Sequence, residues 1–326
     1  MNKKNVDEKL VLEINKTLHN YFSKIYIGTP LEFRDTAVKK WSGIANNFLS
    51  KDSLKILDFG SGTGFVPQAI MPHLHNSTLI CMDISKDSLK ISRSRLNKYK
   101  KLIKRKKIKL KFITNRPSIP IRIPLPSRSV DIVLVNFVLH HLYRPQDFLS
   151  EAHRILKNKG ILIVGFEPNS RFLKNKTLRF LNIISLFIVS LIRPSFLLKS
   201  VSKMPVMHHP KEFIKKTFMK KQYAKYNKIE KSLNQYFLNK NLIKEPFSLD
   251  DFLSISNYQD FIDAEILVSR RLFISLTFET YAHLPILNDE IKNRKLRNII
   301  EKINLSLKRR FPDDGYLFFA VLKKKL

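Results

Sequence analysis

Three observations predict an α/β fold built on an open, doubly wound, mostly parallel sheet. A short apolar run enters an acid and then glycines at every second position, in ILDFGSGTG at residues 56–64. Two further apolar runs end in polar residues, at Asp83 and Asn136. Stretches of helical periodicity separate these runs, and alternating strands and helices are the pattern of a parallel sheet covered on its faces. Counting the two apolar runs near the C-terminus gives seven strands, with a helical insertion after the fifth.

The first 50 residues read as helical, with Tyr21, Trp41 and Phe48 as packing residues. The first strand then runs into Asp58, Gly60, Ser61, Gly62, Thr63 and Gly64. Glycine admits φ > 0 and lets a ligand approach the backbone, so strand, glycine turn and helix form the ligand crevice of such a sheet. The dinucleotide fingerprint is G-x-G-x-x-G; here the pattern is D-x-G-x-G-x-G. Asp58 would repel a diphosphate but not a cationic cofactor.

The second strand, STLICMDIS at 77–85, ends in Asp83 followed by Ile84. An acid at that point accepts hydrogen bonds from ribose hydroxyls, or it caps the helix that follows. IKLKFITN at 108–115 reads as the third strand; Asn115 can bond an adenine edge or be a plain loop residue. A fourth, central strand occupies 130–135, with Asn136 at its carboxyl end and His140 and His141 just beyond. Residues 148–168 read as a helix stopped at Gly160 and a fifth strand.

The glycine turn resembles motif I of the class I S-adenosylmethionine-dependent methyltransferases. The stretch IPLPSRSVDIVLVNFVLHHL at 123–142 is similar to that family's loop and fourth strand, with Pro124, Ser129, Asp131 and Val133 matching. The resemblance runs from residue 56 to residue 168. It implies a Rossmann-like methyltransferase fold, S-adenosyl-L-methionine as cofactor, and a binding site formed by Asp58, Gly60, Ser61, Gly62, Thr63, Gly64, Asp83, Ile84, Asn115 and Asn136. The family's acid after the third strand is absent here, replaced by Asn115 and Ser118.

Composition adds bounds. A single cysteine, Cys81, excludes an intramolecular disulfide and reads as an inert strand residue. No C-x-x-C or H-E-x-x-H metal pattern occurs, so no metal is expected. The N-terminal residues lack an apolar signal region, giving an expectation of a cytoplasmic protein. The formal net charge of +33 invites an anionic partner, membrane surface or nucleic acid. The same bias toward Lys, Asn, Ile and Phe would also follow from an AT-rich genome.

The chain divides into an N-terminal helical segment (1–50), a cofactor-binding core (51–168), an apolar and basic helical insertion acting as a lid (169–246), and a C-terminal helix with the last strands (247–326). Within the insertion, LRFLNIISLFIVSLIRPSFLL at 178–198 is apolar up to Pro194 except for Arg179, Asn182, Ser185, Ser190 and Arg193, which share one side of a helix. It is short for a span before Pro194 and is flanked by cations, as in a helix lying in a bilayer interface; a lid packed on its own domain is the alternative. His208 and His209 stand before a basic helical stretch at 211–244. Ser248 and Asp251 form a capping-box pattern, and 264–278 and 315–325 read as the last strands.

These features lead to methyl transfer onto a small, lipophilic or lipid-linked acceptor, with His140 or His141 as the base if the acceptor is a hydroxyl. The protein would sit in the cytoplasm, peripheral on the inner face of the membrane. An RNA methyltransferase and a catalytically inactive binding protein are the alternatives.

Overall fold

The computed structural model describes residues 6–23, 31–115, 118–192, 220–269, 271–283 and 294–325. Two helices, α1 (Glu8–Ser23) and α2 (Leu31–Ile44), precede the sheet. The core then alternates: β1 (Lys55–Phe59), α3 (Phe65–Ile70), β2 (Thr78–Asp83), α4 (Lys86–Leu96), α5 (Lys100–Arg105), β3 (Lys109–Thr114), β4 (Val130–Asn136), α6 (Pro145–Ile155) and β5 (Leu156–Pro168). Next come α7 (Ser170–Lys174), α8 (Lys176–Ile192), α9 (Lys220–Asn239), α10 (Leu249–Ser256), α11 (Ile266–Ser269), β6 (Phe273–Tyr281), α12 (Arg294–Arg310) and β7 (Leu317–Lys324).

The seven strands lie in the order β3-β2-β1-β4-β5-β7-β6. β1 to β5 are parallel, and β7 runs antiparallel between β5 and β6. The order reverses between β1 and β4, so the crevice beyond their carboxyl ends is where an open α/β sheet binds ligand. Successive strand residues alternate between two cores. Ile56, Leu79, Ile132 and Ile163 pack with Trp41, Val66 and Leu89 on one face. Leu57, Ile80, Val133 and Leu162 pack with Phe148, Ala152 and Ile155 on the other. A third cluster joins α1, α9 and α10 through Val11, Ile14, Leu233, Phe237 and Phe252.

Two boundaries differ from the sequence reading. The helix α6 closes at Ile155, not at Gly160. Lys157 lies in β5 instead, its ammonium 2.8 and 2.9 Å from the Asp131 carboxylate oxygens. Residues 266–269 are helical, and β6 starts only at Phe273. The capping box of α10 forms with both of its bonds.

The insertion helix α8 also differs. Leu178, Asn182 and Ser185 are buried, whereas Phe180, Ile183 and Ile184 are exposed. Asn182 and Ser185 thus lie on the packed side, where the Asn182 amide donates to the carbonyl of His283 at 3.0 Å, while Arg179 is exposed. Among the described residues no helix is long and apolar enough to cross a membrane. His208, His209, Pro194 and residues 193–198 lie outside the described residues.

Candidate active site

The first strand ends in a turn that only glycine fits well. Gly60, Gly62 and Gly64 have φ of +70°, +51° and +86°. A Cβ on Gly64 would stand 2.5 Å from the Ser92 hydroxyl, so this glycine closes helix α4 onto the turn. A Cβ on Gly62 would meet nothing nearer than the Gly60 carbonyl at 4.0 Å, so the middle of the turn faces open space. Gly64 also precedes α3 as its N-cap residue.

Two acids flank the turn. Asp83, at the end of β2, accepts the Gly62 N–H at 2.7 Å through one oxygen and the Ser85 N–H at 2.8 Å through the other. The cap of α4 is Ser85, whose hydroxyl accepts the Ser88 N–H at 3.0 Å, so Asp83 is not spent on capping. Burial raises the Asp83 pKa, against the pull of His19 and of the backbone N–H groups of Ser85, Gly62 and Ile84. Asp58 is buried, and one of its carboxylate oxygens has no hydrogen-bond partner; the Ser61 hydroxyl is likewise buried without one. Burial pushes the Asp58 pKa up to about 7; the nearby Ser61 hydroxyl pulls it back and the Asp83 charge adds to the rise.

The other expected residues surround this turn or stand at the ends of the neighbouring strands. Thr63 receives the Arg95 guanidinium at 2.7 Å. Asn115 is buried beyond β3, its N–H on the Asp83 carbonyl at 2.9 Å. Asn136 ends β4 and accepts the indole N–H of Trp41 at 3.1 Å. Cys81 lies buried in β2, and burial raises its thiol pKa, as in an inert core residue.

Beyond β4 the backbone is held by an acid the sequence reading did not single out. Glu167, wholly buried in β5, accepts the N–H groups of Val138 (2.6 Å) and Leu139 (2.9 Å) on one oxygen. Its other oxygen accepts the His140 N–H at 3.3 Å and lies 2.7 Å from the His140 Nδ1. A carboxylate can only accept, so the His140 proton sits on Nδ1 and leaves the Nε2 lone pair free. His141 Nδ1 is fixed in the same sense, 2.7 Å from the Ser256 carbonyl.

α1 contributes the second unforeseen residue. His19 stands edge-on to His141, ring centroids 5.1 Å apart, and the His140 and His141 rings are 4.1 Å apart. Burial, with His140 and His19 nearby, holds His141 well below its ordinary pKa, against a small upward pull from the Ser256 carbonyl. Burial likewise lowers His19 against the attraction of Asp83. Asn20, one residue on, accepts the Ser85 hydroxyl at 2.8 Å. The N-terminal helix thus reaches the same strand ends as the glycine turn. No cluster of three or more His, Cys, Asp or Glu suited to a metal ion occurs among the described residues.

A sulfonium cofactor with an ammonium group and ribose hydroxyls fits this donor set. Asp58 and Ser61 bring buried oxygens without partners, and the Asp83 carboxylate keeps acceptor capacity for a hydroxyl. The open ground over Gly62 admits the ligand against backbone. A diphosphate would meet two carboxylates.

Fold and site together resemble those of a class I, S-adenosylmethionine-dependent methyltransferase domain. Comparison with known proteins agrees, since residues 57–164 match the family model described as a methyltransferase domain. The chain is similar to a demethylmenaquinone methyltransferase of Tropheryma whipplei (strain Twist), 30% identical over 110 residues, which cover 34% of this chain and 40% of the relative. It is also similar to an uncharacterised methyltransferase of Schizosaccharomyces pombe, 26% identical over 121 residues, 37% of this chain and 41% of that protein. The chain therefore spans about two fifths of the length of these curated relatives. Among solved structures, the phosphoethanolamine N-methyltransferase 2 of Haemonchus contortus with S-adenosyl-L-methionine is 12% identical. Its TM-score is 0.44, covering 88% of this chain and 52% of that one.

Proposed function

We propose that this protein transfers a methyl group from S-adenosyl-L-methionine to a small lipophilic acceptor. The observation that carries the reading is the buried Asp58 carboxylate, one oxygen of which has no partner, beside a glycine turn whose middle is open. In this reading Gly60, Ser61, Gly62, Thr63 and Gly64 hold the methionine part, Asp58 faces its ammonium group, and Asp83 and Ile84 hold the ribose. Asn115 and Asn136 close the two sides. When bound, the cofactor supplies an electrophilic methyl group, and in-line transfer then demands alignment and exclusion of water rather than a protein nucleophile. His140 is the base for a hydroxyl acceptor: its Nε2 receives the proton, and Glu167 holds the ring in the tautomer that can do so. His141 lies against it and assists by packing.

Two observations support a lipophilic acceptor. The helix α8, which follows β5 at the carboxyl edge of the parallel strands, presents Phe180, Ile183 and Ile184 outward. The Tropheryma whipplei relative is named for a quinone substrate. We place the activity on the cytoplasmic side, with residues 169–246 as the lid over the core at 51–168. The charge favours a second reading, an RNA substrate: residues 86–111 carry 13 Lys and Arg and one acid. RNA binding would weaken steeply with salt.

Calorimetric titration of the full chain with S-adenosyl-L-methionine, beside Asp83→Ala, tests the cofactor site. Saturable binding that the substitution weakens by tenfold or more is expected. A folded parent that does not bind refutes the reading. Labelled methyl transfer into a total lipid extract, against transfer into total RNA, then decides the acceptor.

A further inference from the structure

We propose that α8 and α12 form a docking face for an anionic lipid bilayer, which the protein touches without spanning. The evidence is a stretch of α8, residues 180–185, that turns apolar side chains outward. In water an amphipathic helix hides its apolar side and shows its polar one. Residues 180–185 of α8 do the reverse: Asn182 and Ser185 are buried, while Phe180, Ile183 and Ile184 are 62%, 48% and 39% exposed. On the packed side Asn182 is tied to the His283 carbonyl, and Ser185, one turn on, bonds back to the Leu181 carbonyl of its own helix. The Asn182 bond to His283 thus leaves the apolar side chains of this stretch outward.

α12 likewise exposes apolar side chains. Ile299, Ile303 and Leu305 are 52%, 42% and 59% exposed, with Ile300 turned in. The chain segments on either side of α12 are fastened to the α7–α8 unit. The Asn182 amide reaches His283 ahead of α12, and the Asn175 amide reaches Asp314 beyond it, at 2.8 Å. Arg171 adds an ion pair to Asp313 at 3.6 Å.

Charge selects the occupant. Residues 170–192 carry four Lys and Arg and no acid; residues 294–310 carry seven and one acid. Lys176 and Arg179 lie exposed beside the apolar side chains of α8, and Lys302, Arg309 and Arg310 on α12. A second copy of the chain would set like charge against like. Nucleic acid would answer the cations but offer no place for the apolar side chains. An anionic bilayer takes both, with apolar groups in the acyl boundary and cations among the headgroups. The inference goes beyond the methyl-transfer reading, since vesicle binding can be measured with no cofactor or acceptor present.

The test is flotation of the full-length protein with vesicles of phosphatidylcholine alone and of phosphatidylcholine mixed with phosphatidylglycerol. Binding to the mixed vesicles is expected, weakened but not abolished by high salt. The triple change Phe180→Ser, Ile183→Ser, Ile184→Ser should weaken it about a hundredfold, from half-buried to wholly lost burial of three large side chains. Its unchanged thermal unfolding would show that the fold is intact. Lys176→Gln with Arg179→Gln should reduce the preference for anionic vesicles. As a control, Lys100→Gln, Lys101→Gln and Lys104→Gln on the basic edge should leave the salt-resistant part untouched. Equal binding by the triple variant and the parent, or binding that high salt removes entirely, overturns the proposal. So does a dimer that the triple change dissociates while the parent ignores vesicles.

Discussion

Replacing Glu167 by glutamine tests the organisation of the site most directly. The carboxylate takes four hydrogen bonds, from the Val138, Leu139 and His140 N–H groups and from the His140 ring. Glutamine offers one acceptor oxygen. With that oxygen toward Val138 and Leu139, the two bonds there pass from charge-assisted to neutral, at about 1 kcal/mol each. The amide nitrogen then faces two donors. The His140 N–H is left without a partner, at about 1–3 kcal/mol, and the ring must move its proton from Nδ1 to Nε2 to accept from the amide. We expect a loss of roughly 3–4 kcal/mol in urea unfolding at unchanged slope. Nitrogen-15 spectra of the imidazole should show the proton on Nε2, and methyl transfer to a hydroxyl acceptor should fall while cofactor binding persists. A loss below about 1 kcal/mol, within the range of an ordinary surface change, would refute the reasoning, as would a ring still protonated on Nδ1.

Three other predictions concern the glycine turn and its acids. Asp58 has a folded pKa of about 7 against an ordinary value of 3.8, so the folded protein holds this proton more tightly than the unfolded chain. Its contribution to stability is full below about pH 4, declines as pH rises toward 7, and is gone above it, on the order of 4 kcal/mol in all. Asp58→Asn should flatten that decline in unfolding measured across the range. If the cofactor ammonium faces Asp58, binding near pH 6 should release a proton, seen as a calorimetric enthalpy that varies with the buffer's ionisation heat; no dependence on buffer would sink that placement. Gly64→Ala, at φ +86° and against the Ser92 hydroxyl, should cost about 2–4 kcal/mol, whereas Gly62→Ala, at φ +51° over open space, should cost about 1 kcal/mol of stability but weaken the cofactor. The reverse ranking in thermal unfolding would contradict the turn geometry.

β1, β2 and β4 were legible as short apolar runs that reach a polar residue beside a turn, and the glycine spacing marked the turn that follows β1. Asp58, Asp83 and Asn136 were legible for the same reason, as residues at strand ends. Glu167 was not: it lies 27 positions from the His140 that it orients, and an acid at a strand end gives no sign of which backbone it will meet. His19 was hidden similarly, since only the packing of α1 over the strand ends sets it near Asp83. In α8 the periodicity was legible but its polarity was not. Residue spacing assigns Asn182 and Ser185 to one side, while the bond to the His283 carbonyl decides that this side faces inward.

Trp41 gives the site a built-in optical signal. It is the protein's one tryptophan, fully buried, and its ring hydrogen-bonds the residue that ends β4 while crowding the backbone at Gly165. Fluorescence excited in the indole band therefore comes from a single, dry position at the edge of the crevice. Any ligand that shifts Asn136 alters the emission without a label, and a quench titration on nanomoles of protein can follow occupancy in real time.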